Sequence, residues 1–324
     1  MGQRFEPTQF ELQQLAEGVY AALGTIEGCG TVSNAGIIDL GDQTLVFDTF
    51  ELPAAGQELR QATEYLTGRP PSYIVISHSH SDHWVGNQAF EPQIPILANR
   101  VILENMPLDT AWLDRYRQDP SQMQAYVAGI QESLVKESAP QRRLQLQAAT
   151  ERMGGLLEAL PTLKPRLPGL LLEGKATFHG DQRTAVLHTV APGHTASDLY
   201  LVLPEDRIVF MGDLGFFHSQ PFMAFCDPLA WQAWLQEMEA VEDIEIFVPG
   251  HGPTGDHTDL KLQRIYIAAL EEMVAQVRRD GGTVQDALTR SLPAPFDEWI
   301  QTGPGRWEAN VRSAYDRQPG EPAG

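Results

Sequence analysis

From Val19 to Phe50, the apolar and β-branched runs VYAALGT, TVSNAGIIDL and QTLVFDTF alternate with glycine-bearing turns, a pattern that predicts successive hairpin strands. In ELPAAGQELRQATEYLTG the apolar positions recur at helical spacing and stop at Gly68, ahead of Pro70-Pro71 and the run YIVIS. A helix therefore delivers the chain to a buried strand. Between residues 100 and 166 the pattern changes. ILENMPLDTAWLDRYRQ, SQMQAYVAGIQESLVKES and QRRLQLQAATERMGGLLEAL are amphipathic, strand-poor and separated by Pro and Gly signals, which predicts three helices set between two β-rich halves. Such a segment serves as a packing layer, a lid or a partner surface, and amphipathic faces favour packing. Strand patterning returns in TAVLHTV, DLYLVLP and RIVFMGD. A helix DPLAWQAWLQEMEAV, a strand EIFVPG and a long helix from about Thr258 to Arg279 follow, with the tail RQPGEPAG expected to fray.

Composition narrows the function classes. With 324 residues, 42% of them apolar, the chain has material for an ordinary buried core. Its 23 Lys and Arg stand against 43 Asp and Glu, a formal charge of −20 without a basic cluster, which argues against a nucleic-acid partner. No run of eighteen apolar residues occurs, and the opening MGQRFEPTQFELQQLAEG lacks an apolar leader core, so a membrane role is not expected and a cytoplasmic location is. Cys29 sits between glycines and Cys226 in an aromatic stretch; with neither CxxC nor a disulfide framework, they suit a reducing compartment.

The densest chemistry lies in SHSHSDHWVGN, directly behind YIVI. An extended chain running to its end here projects His78 and His80 to one side. A following helix start, capped by Ser81 or Asp82, would aim Asp82 and His83 away from that pair. Three further candidates follow apolar runs at strand ends or glycine turns: His194 in APGHTASD, Asp213 in FMGDLGF and His251 in VPGHGPTG. Imidazole with carboxylate suits zinc, iron or manganese with a position left open for chemistry. Asp48 in LVFDTF is either an outer partner that fixes an imidazole tautomer or a turn residue capping the next helix. Among the other histidines, His179 and His257 read as solvated or turn residues and His188 as a satisfied sheet-end residue, while His218 is a candidate pocket residue. FFHSQPFMAFC, residues 216–226, reads as core or as an apolar substrate wall.

The ordered set H-S-H-S-D-H, P-G-H-T, M-G-D and V-P-G-H-G resembles the metal-ligand motifs of the metallo-β-lactamase superfamily. The resemblance implies an α/β fold, a four-layer αββα sandwich of two mixed β-sheets flanked by helices, as a single domain over 1–324 with 100–166 as a helical insertion. It implies His78, His80 and His194 on one metal, Asp82, His83 and His251 on the other, and Asp213 as a bridge. The two divalent ions would be zinc first, with iron or manganese as alternatives. The implied activity is a dinuclear hydrolase in which a metal-bridging hydroxide cleaves an ester, thioester, lactone or β-lactam bond in a small-molecule substrate. In that activity Asp82 would be the catalytic residue that orients the nucleophile. Asp213 stands where the best-known zinc β-lactamases carry cysteine, as in the glyoxalase II and lactonase branches. The lactonase tyrosine after this Asp is replaced by LGFFHS. A mononuclear iron persulfide dioxygenase of the same fold is the alternative, and homo-oligomerisation through the helical insertion is an open partner expectation.

Overall fold

A computed structural model describes residues 5–24, 31–301 and 305–317. The chain forms two compact units, Met1–Val186 and Leu187–Gly324. In the first, β1 (Glu11–Ala16), β2 (Val19–Leu23), β3 (Ala35–Asp39) and β4 (Thr44–Phe47) pair in order, all antiparallel. These are the expected hairpins plus β1, whose ELQQLA is too polar to read as a strand. Helix α1 (Pro53–Thr67) then carries the chain to β5 (Tyr73–Val75), which lies parallel to β4. It ends as expected at Gly68, whose φ of 71° allows its N–H to reach the Glu64 carbonyl.

Strands β6 (Ile96–Asn99) and β7 (Leu170–Leu172) extend the sheet in parallel, giving seven strands. Four helices form the crossover between them: α2 (Arg100–Asp109), α3 (Ala111–Gln118), α4 (Ser121–Lys136) and α5 (Pro140–Ala159). The helical segment is thus the connection between two neighbouring strands of the first sheet. Three helices become four because Thr110 (φ −110°, ψ 4°) leaves helical backbone and splits ILENMPLDTAWLDRYRQ in two.

The exit from this crossover is held by Arg166. Its guanidinium donates to the carbonyls of Phe90 (3.1 Å), Glu91 (3.1 Å), Pro92 (3.1 Å) and Ile94 (2.9 Å), and Asn87 Nδ2 returns a bond to the Arg166 carbonyl at 3.1 Å. Burial among these groups lowers the guanidinium below its ordinary value. Replacing Arg166 with Met strips several carbonyls of a donor at once and is expected to cost about 2 kcal/mol, read as a lower midpoint in urea unfolding. An unchanged midpoint would show that water substitutes fully.

β8 (Lys175–His179) and β9 (Thr184–Val190) lead into the second unit. There β10 (Asp198–Leu203) pairs antiparallel with β11 (Ile208–Phe216), and β12 (Ile246–His251) pairs parallel with β11 after the crossover helix α6 (Pro228–Glu239). Asp227 caps α6 by accepting from the N–H groups of Leu229 and Ala230. Helix α7 (His257–Arg279) opens on an Asp256–Asp259 capping box, and α8 (Val284–Leu288) and α9 (Arg306–Asp316) follow. Trp231, Phe247, Tyr266 and Leu270 are buried in this unit's core. The second sheet has five strands, so the expected α/β class with two mixed β-sheets flanked by helices is the one that forms.

Among the described residues no helix is long and apolar enough to cross a membrane. Cys29 and the tail beyond Arg317 lie outside the described residues.

Candidate metal centre

In the first unit, β5 ends at Val75 and the backbone bends at His78 and Ser79, so strand alternation is not what pairs the histidines. The rings of His78 and His80 nevertheless meet with centroids 4.8 Å apart, and those of His78 and His83 at 4.4 Å. The expected helix start is a pair of short 3₁₀ stretches, Ser81–His83 and Val85–Ala89, the first flanked by His80 with no side-chain cap from Ser81 or Asp82. The first turn sets Asp82 Oδ2 3.9 Å from His83 Nε2, on the same side. His78 and His83 are fully buried, and the Asp82 side chain keeps 19% of its surface exposed.

Asp48 fixes the orientation of this cluster. One carboxylate oxygen accepts from the Ser77 N–H (2.8 Å); the other accepts from the Ser77 hydroxyl (2.7 Å) and from His83 Nδ1 (2.8 Å). Because the one hydroxyl proton of Ser77 goes to Asp48, the short Ser77 Oγ to His78 Nδ1 contact of 2.9 Å requires Nδ1–H of His78 to donate. Both imidazoles then carry their proton on Nδ1 and present the Nε2 lone pair, the tautomer a metal needs. Burial pushes the Asp48 carboxyl above its ordinary value, against the opposing pull of His83 and Ser77. The capping alternative for Asp48 fails, since α1 starts after Leu52. Asp48 and Phe50 both sit at positive φ, 60° and 65°, so the loop that supplies this carboxylate holds backbone conformations that non-glycine residues rarely adopt.

In the second unit, Asp213 lies on β11 where its register against β12 slips, between Gly212 and Phe216. His194 Nε2 faces Asp213 Oδ2 at 3.3 Å, and His251 Nε2 faces Oδ1 at 3.3 Å; all three side chains are at most 3% exposed. Two donors bonded tetrahedrally to one ion at about 2.0–2.1 Å are spaced about 3.3–3.4 Å apart, so each of these pairs has the edge length of a zinc-type coordination shell. Nitrogen and carboxylate oxygen are the donor types that zinc, iron and manganese accept. The Phe216 ring stacks on His251 (4.9 Å, 12°), and Trp231 meets His194 edge-on at 5.1 Å, which limits how far either imidazole can rotate.

Several supporting residues escape a reading of motifs alone. Asp198 accepts from the Thr195 N–H (3.1 Å) and hydroxyl (2.9 Å) and so braces the turn that carries His194. Burial pushes its carboxyl up to about 6, although His194 pulls the other way. The Thr-x-x-Asp spacing in HTASD was the available signal. Gln263 on α7 accepts from the Phe216 N–H (2.8 Å) and donates to the Leu214 carbonyl (2.9 Å), pinning the irregular end of β11. A glutamine on a helix gives no warning of that role.

The remaining candidates fall outside both clusters. His218 is 57% exposed and pairs with Asp259 at 3.1 Å, so it is no ligand of the second-unit set. His188 stacks on Tyr200, as a satisfied strand residue. His257 Nε2 meets the Val241 carbonyl, and His179 is exposed on β8. The proposed substrate wall is mainly core: Phe216, Phe217, Met223 and Cys226 are buried, while Phe225 remains exposed. Burial pushes the Cys226 thiol up to about 12, which disqualifies it as a nucleophile near neutrality.

The sequence profile described as the metallo-beta-lactamase superfamily matches residues 30–270. No curated protein matches the chain significantly. Among solved structures, the stereoselective inverting sec-alkylsulfatase Pisa1 from Pseudomonas sp. is similar with a TM-score of 0.65 at 16% identity, over 94% of this chain and 50% of that one. The chain thus spans half the length of the alkylsulfatase. A metallo-beta-lactamase from Pontibacter korlensis gives a TM-score of 0.56 at 17% identity, covering 80% of this chain and 99% of that one. The metallo-beta-lactamase FIM-1 from Pseudomonas aeruginosa, in a mono-zinc form, gives 0.54 at 18%, covering 81% and 97%. At these identities the likeness concerns the fold.

Proposed function

The chain belongs to the metallo-beta-lactamase superfamily, and on that premise we propose that it is a metal-dependent hydrolase whose two donor sets serve one dinuclear centre. His78, His80 and His194 hold one ion and Asp82, His83 and His251 the other, with Asp213 shared, and zinc is the first choice of metal. The observation that carries this reading is the buried Asp213 carboxylate with an imidazole Nε2 at 3.3 Å from each oxygen. The tautomers set by Asp48 and Ser77 support it.

When bound, the ions would supply a water acidified toward neutral pH and a Lewis acid for the scissile group. The chain's own residues do the rest. Asp82, the half-buried carboxylate of the first set, orients the attacking water, and Asp48 keeps His83 in the ligating tautomer. Phe216 and Trp231 shield the second set from water. The bond cleaved is an ester, thioester, lactone or β-lactam of a small molecule, and a reduced, buried Cys226 accords with work in the cytoplasm. The alkylsulfatase accounts for 94% of the chain against 80–81% for the β-lactamases, which adds a secondary alkyl sulfate to the substrates worth testing.

Metal quantification on the purified protein, followed by turnover of nitrocefin, a homoserine lactone, a glutathione thioester, a phosphodiester and a secondary alkyl sulfate, tests the reading. Two equivalents of divalent metal per chain and a chelator-sensitive activity are expected. A single iron with oxygen consumption on a persulfide would overturn it in favour of a dioxygenase.

A further inference from the structure

The 3₁₀ turn that carries Asp82 and His83 is gripped from a second direction. Glu51 lies three residues after Asp48 in the same loop and is 6% exposed. One of its carboxylate oxygens accepts from the Ser81 hydroxyl at 3.2 Å; the other accepts from Arg152 Nε at 2.8 Å. Arg152 belongs to α5, so this short chain of bonds runs from the helical crossover through Glu51 to the first residue of the turn. Helix α5 also packs close beside that loop. A Cβ at Gly155 would stand 3.3 Å from Leu52 Cδ1, and Leu52, Pro53 and Ala54 line one cavity, of about 550 Å³, with Glu151, Gly155, Glu158 and Ala159.

Charge gives the bonds a direction. Burial alone would lower the Arg152 guanidinium, but the Glu51 and Asp82 carboxylates outweigh it and hold it above its ordinary value. Arg152 is therefore the cation between two carboxylates. Without it, Glu51 and Asp82 lose the cation that acts on both, and Asp82, its side chain 19% exposed against 7% for that of Glu51, is the more exposed of the two.

We propose that Arg152 is a positioning residue: through Glu51 and Ser81 it ties the helical crossover to the turn that presents Asp82 and His83, so that α5 sets the geometry of those two donors. Its metal consequence rests on the dinuclear reading; the mechanical coupling does not. This assigns the helical segment a task beyond packing. It also predicts that substitutions in α5 reach the donors without touching substrate.

The test has two arms, run on the full chain. In the first, amide exchange is followed in metal-free protein over residues 77–87 and over α5. Arg152→Met is expected to speed exchange across 77–87 by at least about tenfold, with Arg152→Lys in between. Exchange that rises in α5 alone would overturn the coupling, since a merely structural contact does only that. Should Arg152→Met unfold α5, Glu51→Gln keeps the helix and an acceptor for Ser81 while removing the charge. It is expected to speed exchange at 77–87 several-fold, and no change there would also overturn the proposal. In the second arm, zinc titration of Arg152→Met is expected to weaken one equivalent about 10–100-fold and to spare the other. Equal weakening of both would count against a task specific to the turn. Wild-type protein that binds no zinc would sink the dinuclear reading, and the exchange arm would still decide the role of Arg152.

Discussion

Asp213→Ala is expected to lower metal-dependent turnover on the order of 10³-fold or more while leaving the fold intact. Asp213 is the carboxylate faced by both second-unit imidazoles, each at 3.3 Å, and it is 3% exposed. In the proposed centre, its removal deletes the charge that the two histidines share with the metal. The response to metal distinguishes this from ordinary damage. Metal-stripped, the carboxylate still has both imidazoles as partners, so the telling comparison is the gain on metal loading rather than the melting point of the stripped proteins. Wild type loaded with zinc should gain stability that the variant does not, because only a protein that binds the ion is stabilised by it. Asp213→Asn keeps the shape, loses the charge and should follow the alanine variant in metal content. Unchanged metal content and turnover in both variants would refute the proposed centre.

Gly250→Ala is expected to do comparable harm without altering a donor. A Cβ at this position would lie 2.0 Å from Asp213 Oδ1, 2.7 Å from the Gly212 carbonyl carbon and 2.8 Å from the Asp213 nitrogen. Two of those three atoms are backbone and cannot swing aside, so β12 must shift against β11, and the Asp213 carboxylate must turn from its place as well. Overpacking of this kind costs about 1–3 kcal/mol. Loss of donor geometry should weaken zinc by at least about 10–100-fold, the range for disturbed supporting residues. Gly129→Ala is the matched control: it sits in α4 with open space around it, and alanine there should be neutral or stabilising by about 0.5–1 kcal/mol. Thermal melts and zinc titrations of the pair check both statements. A Gly250→Ala protein with native zinc affinity would mean that the strand adjusts freely.

The candidate donors stood out because their motifs carry steric information as well as chemistry. The first glycine of V-P-G-H-G, Gly250, is the one that makes room for Asp213, so the motif records a contact between β12 and β11. The hairpins of β2 to β4, the end of α1 at Gly68 and the start of α7 followed from local pattern and turn residues. What local pattern could not show was anything fixed by a distant partner. Glu51 and Arg152 look like solvated charges until α5 is seen to lie beside the loop, and Gln263 looks like a surface residue until it takes the Phe216 N–H and the Leu214 carbonyl. The strand argument for His78 and His80 reached a correct pairing by an incorrect route, because β5 stops at Val75 and a bend does the work. β7 was invisible for another reason: Leu170, Leu171 and Leu172 form a strand only through pairing with β6.

That last pairing has a consequence for how the first sheet is assembled. β6 and β7 are neighbours in space yet separated by the whole helical crossover, about 70 residues, and closing such a loop costs only roughly 1.5 kcal/mol more than closing one of a dozen. Length therefore does little to forbid the arrangement, but it delays it, since non-local strand pairs form after the local contacts that bring them together. The gain on pairing is modest as well: the strand is three residues long, and Leu170 and Leu171 stay 43% and 39% exposed. β7 is therefore expected to open before the rest of the sheet, seen as amide exchange at Leu170–Leu172 faster than in the hairpins of β1 to β4; equal protection would show that the seam is closed as tightly as they are.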